Sequence, residues 1–220
     1  MADRLSDEEQ FQVIKNWWKA NGRFLIICIA VTVTAYFGWQ WWTKTQQAHA
    51  EQASALYSEL VDSVATTGIE PLSNEKLTTA NFLVEQLKKD FGDTAYSINA
   101  SLLAAKLAVN KGDLDSAVDE LSFAIDNGDS DIQVVAKHRL ARVYLAQNNL
   151  DEALALASHD RDDAFASKYA DLRGDIYAVK GDTVAAIAAY QQALENIIDG
   201  DNLQRSLIEI KLADLSAAGE

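Results

Sequence analysis

The chain has 220 residues, room for one domain of ordinary size plus a short appended segment. A single proline, Pro71, and a second half dominated by alanine, leucine, glutamate, lysine and glutamine argue against a strand-rich fold. The net charge of −14 comes from the stretch after residue 42, which holds 29 acidic and 15 basic residues; a surface of that sign repels phosphate backbones, so nucleic acid is disfavoured and proteins are the expected partners. The one cysteine, Cys28, excludes an internal disulfide.

Residues 24–42, FLIICIAVTVTAYFGWQWW, are 19 consecutive positions without a charge, closed by Arg23 and Lys44. At about 1.5 Å per residue a helix of this length covers roughly 28 Å, close to the hydrocarbon thickness of a bilayer. The run is apolar on every face, and no second apolar helix of comparable length is available to cover it, so a transmembrane helix is expected. Trp17 and Trp18 precede it and Trp39, Trp41 and Trp42 close it. Amphipathic indoles favour the headgroup level, and the last three are read as a membrane anchor. Cys28 falls inside the run as a small apolar residue facing lipid or a partner helix. Arg4, Lys15, Lys19 and Arg23 precede the span, whereas only Lys44 follows it before Lys76, so 1–23 is expected in the cytoplasm and 43–220 beyond the membrane. A cleaved signal peptide is the competing reading, because Ala48-His49-Ala50 has the small-x-small form of a cleavage site. Against it, the apolar segment is longer than a signal core, and Lys44 and the tryptophans precede the site.

After the span, Ala53, Leu56, Tyr57, Leu60 and Val64 recur at helical spacing until Thr66, Thr67 and Gly68, so the span is expected to run on into a first soluble helix. Pro71 followed by Ser73 or Asn74 restarts the chain, with Leu77, Ala80, Phe82, Leu83 and Leu87 as the apolar face and Gly92 as the stop. Residues 43–92 thus read as linking helices.

From residue 93 the chain repeats itself. KGDLDSAV at 111–118, QNNLDEAL at 147–154 and KGDTVAAI at 180–187 align without gaps at offsets of 36 and 33 residues. Gly112, Asn148 and Gly181 stand where a left-handed residue closes one helix, and Asp113, Asn149 and Asp182 where a side chain caps the next. This helix–turn–helix period resembles the tetratricopeptide repeat. The third unit places Gly174, Tyr177, Gly181, Ala186, Tyr190 and Ala193 at the spacing of that repeat's signature. The second supplies Leu140, Ala141, Tyr144 and Ala153, with Ala157 and Asp160 in place of an aromatic and an alanine. The first supplies Ala105, Ala108, Gly112, Ala117, Leu121 and Ala124, without an aromatic. Small residues let paired helices approach, and an aromatic fills the space beside them. One pair leaves its apolar face open and stacking closes it, giving a surface lined by the first helix of each pair that suits an extended peptide or a partner helix. Residues 203–215, with Leu203, Leu207, Ile210 and Leu215, are expected to cap the stack. The fold class is therefore all-α: one N-terminal transmembrane helix, then a tetratricopeptide-like α-solenoid of helix pairs over 93–220.

Catalytic groupings are absent from the sequence. It has no Gly-x-Ser-x-Gly elbow, phosphate-binding glycine loop or His-Glu-x-x-His. His49, His138 and His159 are dispersed. His159 with Asp160, Asp162 and Asp163 reads as a solvated turn rather than a metal site. The expectation is no catalytic residue, no cofactor and no metal, hence not an enzyme.

Taken together, KNWWKANG at 15–22, GWQWW at 38–42, HRLARV at 138–143, RGDIY at 173–177 and KGD at 180–182 closely resemble the YfgM family, ancillary subunits of the bacterial Sec translocon. The resemblance implies a single-pass protein of the bacterial inner membrane with its N-terminus in the cytoplasm and its repeat domain in the periplasm. It further implies association with the Sec translocon and with a membrane-anchored periplasmic chaperone of the prolyl-isomerase type, a role in handling exported client proteins, and a link between the cytoplasmic segment and stress-response signalling. The same architecture also suits an envelope assembly scaffold unrelated to the translocon, and the residues alone leave that alternative open.

Overall fold

The computed structural model describes residues 7–65, 73–158, 164–198 and 200–218, and among them every regular element is an α-helix. Two compact units divide the chain, Met1–Gln52 and Ala53–Glu220. The helices are α1 Asp7–Val64, α2 Asn74–Asp90, α3 Ala95–Lys111, α4 Leu114–Asn127, α5 Ser130–Ala146, α6 Leu150–Leu156, α7 Ala166–Lys180, α8 Thr183–Glu195 and α9 Asn202–Ala218. Arg4, His159, Asp160, Asp162 and Asp163 lie outside the described residues, as do Thr66, Thr67, Gly68 and Pro71 between α1 and α2.

The first unit consists of α1 up to Gln52. It is long and apolar enough to cross a membrane, and its apolar side chains, Phe24, Ile26, Val31 and Phe37 among them, are exposed. The threonines in and just after the apolar run do not spoil it, because their hydroxyls are spent within the helix. Thr32 donates to the Cys28 carbonyl at 2.9 Å, Thr34 to Ala30 at 2.8 Å and Thr45 to Trp41 at 2.9 Å. A hydroxyl bonded to a carbonyl one turn back brings no unsatisfied group into hydrocarbon.

In the second unit the end of α1 becomes a core element. Ala53 and Leu60 are fully buried with Leu83, Leu87, Phe91 and Ala100, while Leu56, Tyr57 and Val64 pack at the margin. Ser73 caps α2, its hydroxyl accepting from the Lys76 N–H. The buried stripe of α2 is Ala80, Leu83, Val84 and Leu87, continued by Phe91. Phe82, expected on that face, is instead 67% exposed. It sits about 100° from Leu83 around the helix axis, and the i, i+3, i+4 row that α1 and α3 cover runs through Val84 instead.

Three turns follow a common plan. Gly112, Asn148 and Gly181 have φ of 81°, 62° and 77°, the left-handed conformation that exposes the last carbonyls of a helix to the next two amides. Accordingly the N–H groups of Asp113, Asn149 and Asp182 reach back to the carbonyls of Ala108, Tyr144 and Tyr177. Asp113 then caps α4 through the Ser116 N–H and Asp182 caps α8 through the Ala185 N–H. Asn149 departs from this expectation: its side chain makes no cap bond to α6, and its Nδ2 points to Gln147 Oε1 at 3.5 Å. The helix it opens has only 7 residues, against 14 in α4 and 13 in α8, so the second helix of this pair is about half the length of its counterparts. α6 ends at Leu156, and the carbonyl of Ala157, which caps it, accepts from Arg173 Nη1 at 3.0 Å, so a side chain of α7 closes the helix where an amide of the next turn would continue it.

The last pair and α9 complete the unit. Ala186, Tyr190 and Ala193 of α8 pack with Ala170 of α7 and Ile208 of α9. α9 is rotated from the expected register: Leu203, Leu207 and Ile210 are 74%, 52% and 57% exposed, whereas Ile208 is fully buried, with Leu212 and Leu215 beside it. The polar residues on the buried side explain the rotation. Gln204 Nε2 donates to Ser167 Oγ at 3.1 Å, and Lys211 reaches two carboxylates of α7, so hydrogen bonds select the Gln204, Ile208, Lys211 row.

At Gly174 of α7 the paired helices approach closely, since an added Cβ would fall within the van der Waals envelope of the Tyr190 ring. Gly174→Ala is expected to destabilise the unit by about 1–3 kcal/mol, although alanine is by ~1 kcal/mol the better helix former. A denaturant midpoint equal to that of the unsubstituted protein would contradict this packing.

Candidate functional site

The repeat-signature residues build the scaffold rather than a surface. Ala105 and Ala117 lie in the α3–α5 core with Leu121, Ala124 and Ala136. Ala141 and Ala153 lie in the next cluster with Leu172 and Ile176, and Tyr144 packs half-buried against it. Gly174, Ala186, Tyr190 and Ala193 are buried between α7 and α8, with Tyr177 at their margin. Gly112 and Gly181 are the turn residues already described. The structure thus brings these residues together pair by pair. Trp39, Trp41 and Trp42 are exposed on α1, Trp39 and Trp42 with ring centroids 5.4 Å apart.

What sequence spacing did not reveal is how the alanine-rich pairs are pinned to one another by buried or half-buried polar groups. Lys211 of α9 lies 2.7 Å from both Asp171 and Asp175 of α7, and Tyr190 of α8 donates to Asp175 at 2.7 Å. Burial pushes the Asp171 carboxyl above its usual range although Lys211 opposes it. Burial acts against the Lys211 ammonium, but the two aspartates win and hold its pKa up. Burial and Asp175 together keep the Tyr190 phenol protonated. At the other end, Lys88 of α2 pairs with Glu120 of α4 at 2.8 Å, and the Ser101 hydroxyl of α3 donates to the same carboxylate. Between these, Tyr169 of α7 donates to the Val134 carbonyl of α5 at 2.7 Å. His138 of α5 stands edge-on to the Tyr169 ring and donates from Nε2 to the Lys168 carbonyl at 3.3 Å. Burial, aided by the Arg142, Lys168 and Arg139 cations, pushes His138 down to about 4, so it is neutral at physiological pH.

Two hollows open on this scaffold. One, of about 310 Å³, lies among α2, α3 and α4 and carries Glu85, Asp113 and Glu120 with Lys111. The other, of about 420 Å³, is a cleft between α3 and α5 over α4, with Ala105, Leu121 and Val143 as its floor and Lys106, Arg139 and Arg142 at its sides. Among the described residues no group of three His, Cys, Asp or Glu side chains is placed to hold a metal ion.

Helix pairs stacked through small residues, closed by left-handed turns and joined to an N-terminal helix of membrane-crossing length, define a tetratricopeptide-like repeat protein. The tetratricopeptide repeat-like domain family matches residues 15–217. Similar curated proteins, each named ancillary SecYEG translocon subunit, come from Haemophilus influenzae, Aggregatibacter actinomycetemcomitans and Neisseria gonorrhoeae. They are 32%, 32% and 26% identical, each over 98% of this chain and 100% of the relative. The chain belongs to the YfgM family. No solved structure matches it. These relatives, with the one N-terminal apolar helix, fit a protein of the inner membrane.

Lys211→Met removes the cation between Asp171 and Asp175, so the expected loss is about 1–3 kcal/mol at neutral pH. The two carboxylates then raise each other's pKa in the folded state. A carboxyl whose folded pKa lies above its unfolded value binds more protons when folded, so the deficit of the variant is full above the raised pKa values and shrinks as pH falls through them. Denaturant unfolding of both proteins between neutral and acidic pH measures it, and a deficit that stays constant or grows on acidification would refute the network.

Proposed function

We propose that this chain is a membrane-tethered interaction module, an ancillary subunit of the Sec translocon whose repeat domain lies in the periplasm. There it cooperates with a membrane-anchored chaperone of the prolyl-isomerase type in handling exported proteins. The observation that carries the reading is similarity along essentially the whole chain to relatives named ancillary SecYEG translocon subunit, the apolar helix included. The orientation rests on Lys15, Lys19 and Arg23 before the span against Lys44 after it. The residue inventory supports a non-catalytic role, because the signature residues serve packing and the sheltered pairs Lys88–Glu120 and Lys211–Asp171 tie helices together.

Tethering is central to the mechanism. An anchor confines the repeat domain and the translocon to one thin layer, so weak contacts suffice without any new interface. A domain released from the anchor is still expected to fold, provided it keeps the end of α1, since Ala53 and Leu60 belong to the core of the second unit.

Protease added to spheroplasts should therefore digest the region beyond about residue 45 and leave the amino-terminal segment protected. Protection of the repeat domain would reverse the orientation. A fragment starting near residue 45 should be folded yet recover translocon components poorly, while the full chain recovers them in mild detergent. Equal recovery by fragment and full chain would show that anchoring is irrelevant, and recovery of other envelope proteins without the translocon would favour an assembly scaffold.

A further inference from the structure

The cleft between α3 and α5 runs against the charge of the molecule. Residues 43–220 hold 29 acidic and 15 basic groups, yet the cleft carries Lys106, Arg139 and Arg142 and no carboxylate. All three side chains are exposed, and none forms an ion pair or hydrogen bond among the described residues. Elsewhere in the same unit Lys88, Lys180 and Lys211 are each paired with a carboxylate. Arg142 senses Asp171 only through space.

The arrangement is built by the repeat. Lys106 and Arg142 are 36 residues apart, the offset between the first two units, so they hold equivalent positions on the first helices of successive pairs. Arg139 stands one turn before Arg142 on the same face. Three cations in a cleft whose lining holds no carboxylate repel one another, with Asp171 of α7 offsetting only Arg142 from outside it, and an anionic ligand relieves that repulsion. The floor of Ala105, Leu121 and Val143 is apolar and the cleft has a volume of about 420 Å³, so the ligand presents apolar side chains as well as charge.

We propose that this cleft binds a short protein segment in which aspartate or glutamate alternates with small or aliphatic residues, its carboxylates held by Lys106, Arg139 and Arg142. Guanidinium groups favour carboxylates because their planar donors match both oxygens. An anionic membrane surface is the poorer fit, since it is flat while the cleft is recessed, and the net charge of the unit repels it. The inference deepens the reading of the repeat domain as an interaction module and does not require that its partner be the translocon.

The test uses the full chain in nanodiscs of neutral lipid and a labelled, end-blocked peptide of Glu-Leu-Asp-Ala repeats, beside a counterpart with lysine in place of the acids. The acidic peptide should bind, lose affinity as salt rises, and bind at least about tenfold more weakly to the Arg139→Glu/Arg142→Glu double variant. Both arginines are exposed, so the melting temperature should hold, and Arg139→Gln/Arg142→Gln should give an intermediate loss. Lys89→Glu, on the exposed side of α2, should bind like the unsubstituted protein. Equal binding of the two peptides, no binding of either, or full affinity in the double variant overturns the proposal. So does binding to phosphatidylglycerol vesicles in preference to the peptide, or self-association of the chain that the double variant abolishes. Recovery of translocon components by the double variant is scored separately, so a failed cleft and a failed translocon assignment give different results.

Discussion

Two helices can pack at the short end of the usual 8–10 Å separation only where little more than a methyl group stands between their backbones. Ala117 and Ala124 of α4, Ala153 of α6, and Ala186 and Ala193 of α8 are all fully buried at such positions, and at Gly174 even the methyl is missing. Everything else in the repeat domain is arranged around that approach. The tight turns at Gly112, Asn148 and Gly181 fold each second helix straight back onto the first, and the Tyr190 ring lies across Gly174, where no side chain stands in its way.

Close packing through alanine has a weakness, since each alanine buries little apolar area and one alanine face resembles another. Neighbouring pairs could slide without much loss. The polar pins remove that freedom. Lys88 with Glu120 and Ser101, Tyr169 with Val134, and Lys211 with Asp171, Asp175 and Tyr190 each join different helices with directional bonds. An ion pair in so sheltered a place adds modest net stability, but a slipped register would leave its charges buried and unpaired.

This division explains what could be read from the sequence. The turns were legible because a left-handed residue favours glycine or asparagine, and Gly112, Asn148 and Gly181 stand at the same place in each repeat. The paired helices were legible from alanines and tyrosines at repeat spacing, and the membrane-length helix from its charge-free run. The faces of α2 and α9 were not, because both carry two apolar rows and the choice lies with their neighbours: Val84 over Phe82 in one, the Gln204 and Lys211 bonds in the other. The brevity of α6 was hinted at by Ala157 in an aromatic position, but its closure by Arg173 is a contact between pairs that no local pattern records. The cationic cleft had a signal in the 36-residue spacing of Lys106 and Arg142, visible only after the repeats are aligned for charge as well as for packing.

The short α6 bears on cooperativity. In a stacked array each unit is coupled to its neighbours, and the array behaves as one block only while every interface outweighs the intrinsic cost of ordering a unit. α6 offers two turns of helix, one fully buried alanine and thin contact with α7, whereas α3 with α4 and α7 with α8 pack along their whole length. Coupling from the first pair to the last therefore passes through the small cluster of Ala141, Ala153, Leu172 and Ile176, the α5–α7 bonds of Tyr169 and His138, and Arg173. Opening is expected at this seam first, so amide protons of α6 should exchange ahead of those on either side, and a load applied across the stack should part it there.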